Sequence, residues 1–143
     1  MGKKRIIKKG ETGSRESAAS ASKKKIKRRV VRGFVYINST YNNTIITLTD
    51  ETGAVLSSGS AGSLGFSGAK KGTPYAASKV AAQLAERAQM IGMQEIGFYV
   101  RGIGAGRESA IRSIAAGGLA ISMIKDITPV PFNGPKPPKM RRV

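Results

Sequence analysis

A mixed α/β domain on a five-stranded sheet, with basic N- and C-terminal extensions, is the fold class this sequence predicts. Three observations predict it. Residues 33–58 hold three short runs of β-forming residues joined by turns, an antiparallel meander. Two stretches of helical periodicity then alternate with two further apolar runs, an α-β-α-β continuation that makes the sheet mixed. The charge, third, is segregated. The chain has 143 residues and a formal net charge of +17. Residues 1–32 hold 13 Lys/Arg against two Glu, residues 129–143 four Lys/Arg and no acid, and the 96 residues between them eight basic and six acidic side chains. A nearly neutral body at 33–128 with cationic ends is the pattern expected of a protein whose partner is a polyanion.

In residues 1–32, clusters such as KKRIIKK and KKKIKRRVVR flank a Ser/Ala/Gly stretch. Their apolar residues are too sparse to offset the entropy of ordering, so this arm is expected to be disordered until it meets RNA. From Gly33 the composition changes. Phe34-Val35-Tyr36-Ile37-Asn38-Ser39 reads as the first strand, and Tyr41-Asn42-Asn43 as a turn in which asparagine tolerates a left-handed backbone. Thr44 to Thr49 is the second strand, with Ile46 and Leu48 on one side. Asp50-Glu51-Thr52-Gly53 is a hairpin loop with glycine where φ must be positive, and Ala54 to Ser58 is the third strand.

Gly59 to Gly72 is a glycine-rich loop ending on Lys70-Lys71. Thr73 is placed to cap a helix and Pro74 to begin it, with Gly92 as the stop. Ala77, Val80, Ala81, Leu84, Ala88 and Ile91 fall on one face of that helix and belong to the core. Glu95 to Arg101 is the fourth strand. Gly102-Ile103-Gly104-Ala105-Gly106-Arg107 is a glycine-rich turn opening a second helix over Arg107–Ala116, which buries Ala110, Ile111 and Ile114. Gly117-Gly118 close it, and Leu119 to Ile127 is an apolar fifth strand. The last 15 residues contain five prolines, which stiffen an extended, basic tail. The strand and helix order matches an RNase H-like layout.

Function classes fall away quickly. Cysteine and histidine are absent, which excludes disulfides, thiol nucleophiles, cysteine zinc sites and imidazole general bases. No apolar run is long enough to cross a membrane, and the basic N-terminus lacks a signal-peptide core, so a reducing cytoplasmic setting is expected, with no membrane partner. A dinucleotide enzyme is disfavoured because the third glycine of G-x-G-x-x-G falls on Arg107, where close helix packing needs a small residue. A metal-dependent nuclease needs converging carboxylates, and the first strand carries none. No cofactor and no metal site are expected. A generic RNA chaperone acting through its tails alone is the remaining rival.

Two places suit phosphate: Lys70-Lys71 before the first helix, and the glycine turn before the second. Helix N-termini present N–H groups and partial positive charge, and glycines are read here as letting an anion approach the backbone. Phe66 and Phe132, in loop and tail, are candidates for stacking or protein contact, whereas Tyr36 and Tyr41 are expected in the core. Asn133-Gly134 is a site for isoaspartate formation, because glycine leaves the attacking N–H unhindered.

From Val35 to Val143 the chain resembles the small-subunit ribosomal protein S-eleven family in its bacterial form. The resemblance rests on YINSTYNNTIITLTDETG, SAGSLGFSGAKKGTPYAA and GIGAGRESAIRSIAAGGLAISMIKDITPVPFNG…PPKMRRV. It implies an RNase H-like fold without nuclease activity, and binding to small-subunit rRNA on the platform, near the exit-site tRNA and the departing mRNA. It implies as neighbours the sixth, eighteenth and twenty-first small-subunit proteins, with the seventh across the exit channel. The rRNA contacts it implies are Phe66, Lys70 and Lys71 in the loop, Gly102, Gly104, Gly106 and Arg107 in the turn, and Asn133, Gly134, Lys136, Lys139, Arg141 and Arg142 in the tail. The sequence departs from the family at Ile103 and Ala105, where many members have proline, at Ser67, where a basic residue is common, and at Phe132 and Pro135, where histidine and cysteine are usual.

Overall fold

The computed structural model describes residues 29–136 and 138; the arm at 1–28 and positions 137 and 139–143 lie outside the described residues, and with them Lys139, Arg141 and Arg142. Strands β1 (Arg32–Ser39), β2 (Thr44–Asp50) and β3 (Val55–Ser60) are followed by helix α1 (Pro74–Ile91), β4 (Glu95–Arg101), α2 (Gly106–Ala116) and β5 (Ala120–Asp126). The sheet order is β3-β2-β1-β4-β5. β1 pairs antiparallel with β2, as β2 does with β3, while β4 runs parallel to both β1 and β5.

Alternation along the central strands explains the layering. Val35 and Ile37, Ile46 and Leu48, and Ile96, Phe98 and Val100 are buried on one face, and both helices pack on it. The predicted stripe of α1 is buried throughout, together with Ala76 and Ala85. Alanine keeps α1 close to its neighbours. Gly59 lies under Val80 and Leu84, and Gly117 lies against Ala85 where the helices meet. Of the residues expected to anchor α2, Ala110 and Ile114 are buried, and Ile111 is only half-buried because it sits at the margin of the α2 contact. The predicted α1 ends are present: Thr73 Oγ1 accepts from the N–H of Ala76, Pro74 is the first helical residue, and Gly92 closes the helix at φ 91°.

One of the two turns matches expectation and the other differs in mechanism. At β2–β3, Gly53 takes φ 87°, and Asp50 Oδ1 accepts from the Thr52 N–H, the Thr52 hydroxyl and the Ala54 N–H. These bonds, the Thr52 hydroxyl foremost, hold the Asp50 carboxyl below the usual carboxylate range. At β1–β2 neither Asn42 nor Asn43 is left-handed. Instead Thr40 closes the turn: its N–H and its hydroxyl donate to the Asn43 carbonyl, and its Oγ1 accepts the Asn43 N–H.

Three aromatic residues occupy the face without helices. Tyr36 and Tyr99, in register on β1 and β4, stack at 5.0 Å, and Phe34 meets Tyr99 edge-on at 5.3 Å. Gly97 is the only residue type that fits beneath them, since a Cβ there would press on the Phe34 ring. The two tyrosines expected in the core are therefore not there. Tyr36 is 37% exposed on the open face, and Tyr41 is 74% exposed at the tip of its turn. The expected apolar fifth strand, β5, lies at the sheet edge, and all seven of its residues are exposed.

Candidate nucleic-acid interface

Parallel pairing of β1, β4 and β5 brings their C-terminal ends, Ser39, Arg101 and Asp126, to one end of the sheet. Segments far apart in sequence meet there. A Cβ at Gly72 would overlap the Tyr41 carbonyl, one at Gly102 the Ser39 carbonyl, and one at Gly104 the Thr40 carbonyl. Gly106 faces Thr44 Oγ1 and, where a Cβ would stand, the Ala77 methyl at 2.7 Å. The β1–β2 turn is thus a wedge between the starts of α1 and α2, and the two helix N-termini touch behind it. Both macrodipoles present their positive ends on this side.

The glycines of the second turn serve this packing. Their bare sides face the chain itself, and part of their backbone is already bonded. The Gly104 N–H donates to the Ser39 carbonyl, and the Gly102 N–H donates to Thr128 Oγ1. The N–H groups of Gly102 and Gly104 are thus engaged within the chain, and the missing side chains let the turn sit directly on β1.

Arg107 is also committed inward. Its guanidinium donates to Asp126 Oδ2 at 2.5 Å and to the Gly102 carbonyl at 3.0 Å. The Thr128 hydroxyl and N–H donate to Asp126 Oδ1 at 2.6 and 2.9 Å. Gly102, Thr128, Asp126 and Arg107 form a closed ring of hydrogen bonds that ties the root of the tail to the glycine turn. The Thr128 hydroxyl first, then Arg107, hold the Asp126 carboxyl well below the usual range.

Other predicted residues fall around this ring. Lys70 is exposed and Lys71 half-buried in a short 3-10 turn, Gly68–Gly72, and the Lys70 carbonyl accepts from the Thr73 N–H and hydroxyl. The main chain at Lys70 is therefore tied to the capping residue of α1. Phe66 is half-buried, packs on the core and meets Tyr75 edge-on at 6.1 Å, so its ring is occupied within the chain. The tail leaves from the same end. Phe132, Asn133, Gly134 and Lys136 are exposed, and Asn133 is the one non-glycine residue with positive φ, 53°, among the described residues.

Two further exposed residues stand at this end, Tyr41, expected in the core, and Arg101, not singled out from the sequence. Tyr41 sits at the crest of the wedge, and Arg101 ends β4. The signal for Arg101 was its position as the last residue of a parallel strand, where ligands gather in α/β sheets. Among the described residues Lys70, Lys71 and Arg101 have no salt-bridge partner, whereas the acids Asp126 and Glu108 are each paired with an arginine. The end is therefore cationic in effect. Among the described residues no group of three or more carboxylates could hold a metal ion, and no helix is long and apolar enough to cross a membrane.

The chain is similar in sequence to known proteins. Residues 33–142 match the family described as Ribosomal protein S11. The chain is 56% identical over 119 residues to the small ribosomal subunit protein uS11 of Thermosipho africanus, covering 83% of this chain and 92% of that one. It is 51% identical over 124 residues to the small ribosomal subunit protein uS11 of Bdellovibrio bacteriovorus, covering 87% and 95%.

Proposed function

The chain belongs to the ribosomal protein S11 family, and from that premise we propose that it fastens into small-subunit rRNA through the end of the sheet where both helices begin. As a member of that family it is a ribosomal protein of the small subunit, not an enzyme. The observation that carries the proposal is the convergence of Lys70, Lys71, the 102–107 turn and the root of the tail on one end of the sheet. An RNA backbone laid across that end meets two helix N-termini, unpaired cations and an exposed tyrosine together.

Recognition proceeds through phosphates, sugar hydroxyls and loop shape, because the deep major groove of RNA hides its base edges. Lys70 and Lys71 act as phosphate contacts. Gly102, Gly104, Gly106 and Arg107 act by holding the turn and the tail root in the shape the RNA meets. Asn133, Gly134 and Lys136, with Lys139, Arg141 and Arg142 beyond the described residues, continue the contact along the tail, and Phe66 supports the loop from beneath. The basic arm at 1–32 and the tail at 129–143 add affinity to a body at 33–128.

The finer reading is an RNase H-like fold, supported by the 3-2-1-4-5 strand order in which only β2 runs opposite to the other four strands. It places the protein in bacterial cytoplasm, on the platform of the subunit, near the exit-site tRNA and the departing mRNA. Its neighbours there are the sixth, eighteenth and twenty-first proteins, with the seventh across the channel. The test is sedimentation. The full chain co-sediments with small subunits in moderate salt and prefers platform rRNA to unrelated RNA. A chain that binds both RNAs equally is a chaperone acting through its tails, and the proposal fails.

A further inference from the structure

Seven consecutive exposed residues on an edge strand are unusual in a domain of this size. Unpaired N–H and C=O groups on a strand edge template the pairing of another chain, and natural proteins normally cover or charge such edges. The two edges of this sheet are treated differently. β3 is Ser/Gly-rich, and α1 reaches over it: Gly59 lies under Val80 and Leu84, and Arg87 donates to Ser57 Oγ. Among the described residues β5, Ala-Ile-Ser-Met-Ile-Lys-Asp, is paired only with β4, and all its residues are exposed.

Register gives the two faces of β5. Ile121 and Ile124 oppose Ile96 and Phe98 and so point to the helix side, while Met123 and Lys125 oppose Gly97 and Tyr99 and point to the open side. Ile124 is 58% exposed, Ile121 42% and Met123 38%, and Ile127 continues the strip into the tail. Apolar side chains thus flank the free edge on both faces. The charge there is sparse. Asp126 is taken by Arg107, which leaves Lys125 without a carboxylate partner among the described residues.

We propose that the outer edge of β5 is a docking site for an extended segment of a second, different protein, which adds to the sheet as a sixth strand. Its side chains are aliphatic against Ile121, Met123 and Ile124, and it carries a carboxylate opposite Lys125. Strand addition supplies main-chain hydrogen bonds for affinity and side-chain pockets for specificity. RNA does not fit this edge, because one free cation in seven residues gives phosphates little to bind and nothing in RNA matches a row of peptide groups. A second copy does not fit either, since its β5 would bring Lys125 against an edge whose own carboxylate, Asp126, is already paired with Arg107. The inference uses the ribosomal reading only for its setting; the edge itself is a property of the sheet.

The test places a photoreactive benzophenone amino acid at Ile124 of the full-length chain in cells, followed by irradiation and mapping of adducts by mass spectrometry. Sedimentation of the same lysate reports separately whether the chain is in small subunits, so failure of the ribosomal reading and failure of the edge are distinguishable. The expected result is adducts confined to one contiguous segment of one protein, rich in aliphatic residues and holding an Asp or Glu. Met123→Lys and Lys125→Glu, both at exposed positions, then lower the recovery of that protein with the chain about tenfold, the scale of losing an interface anchor, and leave rRNA binding in place. Adducts to RNA, to a second copy or scattered over many proteins overturn the inference, as does their absence.

Discussion

At the scale of single residues, the site end depends on absent side chains and on one acid. Gly104 and Gly106 sit with no room for a methyl group, against Thr40 and Ser39 in one case and Thr44 and Ala77 in the other. Gly106→Ala is expected to destabilise the fold by ~1–3 kcal/mol, the usual effect of overpacking a filled site, read as a lower urea midpoint. Thr73→Ala removes the α1 cap and is expected to cost about 1 kcal/mol by the same measurement. Asp126 gives a pH signature with a definite sign. Its folded pKa is depressed from the ordinary 3.8 by Thr128 and Arg107, so its contribution to stability is complete above that value and is lost as pH falls below it. Asp126→Asn should therefore be less stable than the parent at neutral pH, with the difference shrinking in acid below pH 3.8. A constant difference across the acid range would show that the ring of hydrogen bonds does not depend on the carboxylate charge. Asn133, before Gly134 in an exposed tail, is expected to form isoaspartate in aged free protein, and peptide mapping that finds only intact asparagine would count against it.

Among the elements, the strands and helices were readable from the sequence wherever periodicity reports burial. The stripe of α1, its cap and its stop are local properties of Thr73, Pro74 and Gly92, and they appear in the structure as expected. What sequence could not carry was which apolar run would be covered. β5 is apolar yet exposed, and nothing in Ile-Ser-Met-Ile distinguishes it from a buried strand. Tyr36 and Tyr41 were misplaced for a related reason, since aromatic residues serve an open sheet face or a turn tip as readily as a core. The glycines of the 102–106 turn were legible as glycines that matter, but their purpose depends on Ser39, Thr40 and Thr44, more than 60 residues away in sequence. Arg107 shows the same limit, because its partner Asp126 reaches it only through the β4–β5 pairing. Two substitutions separate a structural element from a presented one. Phe98→Ala is expected to cost ~3–5 kcal/mol as a buried aromatic deletion, whereas Ile124→Lys on β5 should change the stability of the free protein by no more than ~0.5 kcal/mol. A large loss in the second would mean that β5 belongs to the core.

For the whole molecule, direction is the useful property. The chain enters the sheet at its lower end, where the Val31 carbonyl accepts the N–H groups of Gln94 and Glu95, and the tail leaves from the upper end beside Gly102. Strands of seven or eight residues separate these points by ~20–25 Å. The basic extensions therefore start from opposite ends of a near-neutral body, and only the tail starts beside Lys70, Lys71 and the paired helix starts. On the proposed function, specificity belongs to the upper end and general affinity to the extensions. The most direct measurement is the salt dependence of binding of the full chain to platform rRNA and to unrelated RNA, for the parent and for Lys70→Ala with Lys71→Ala. Each phosphate contact contributes ~0.7–0.9 to the log–log slope. The double variant should lose about 1.5 from the slope on platform rRNA and very little on unrelated RNA, narrowing the preference between them. Equal losses on both RNAs, or no loss on either, would contradict recognition by the folded end and leave the extensions as the whole of the binding.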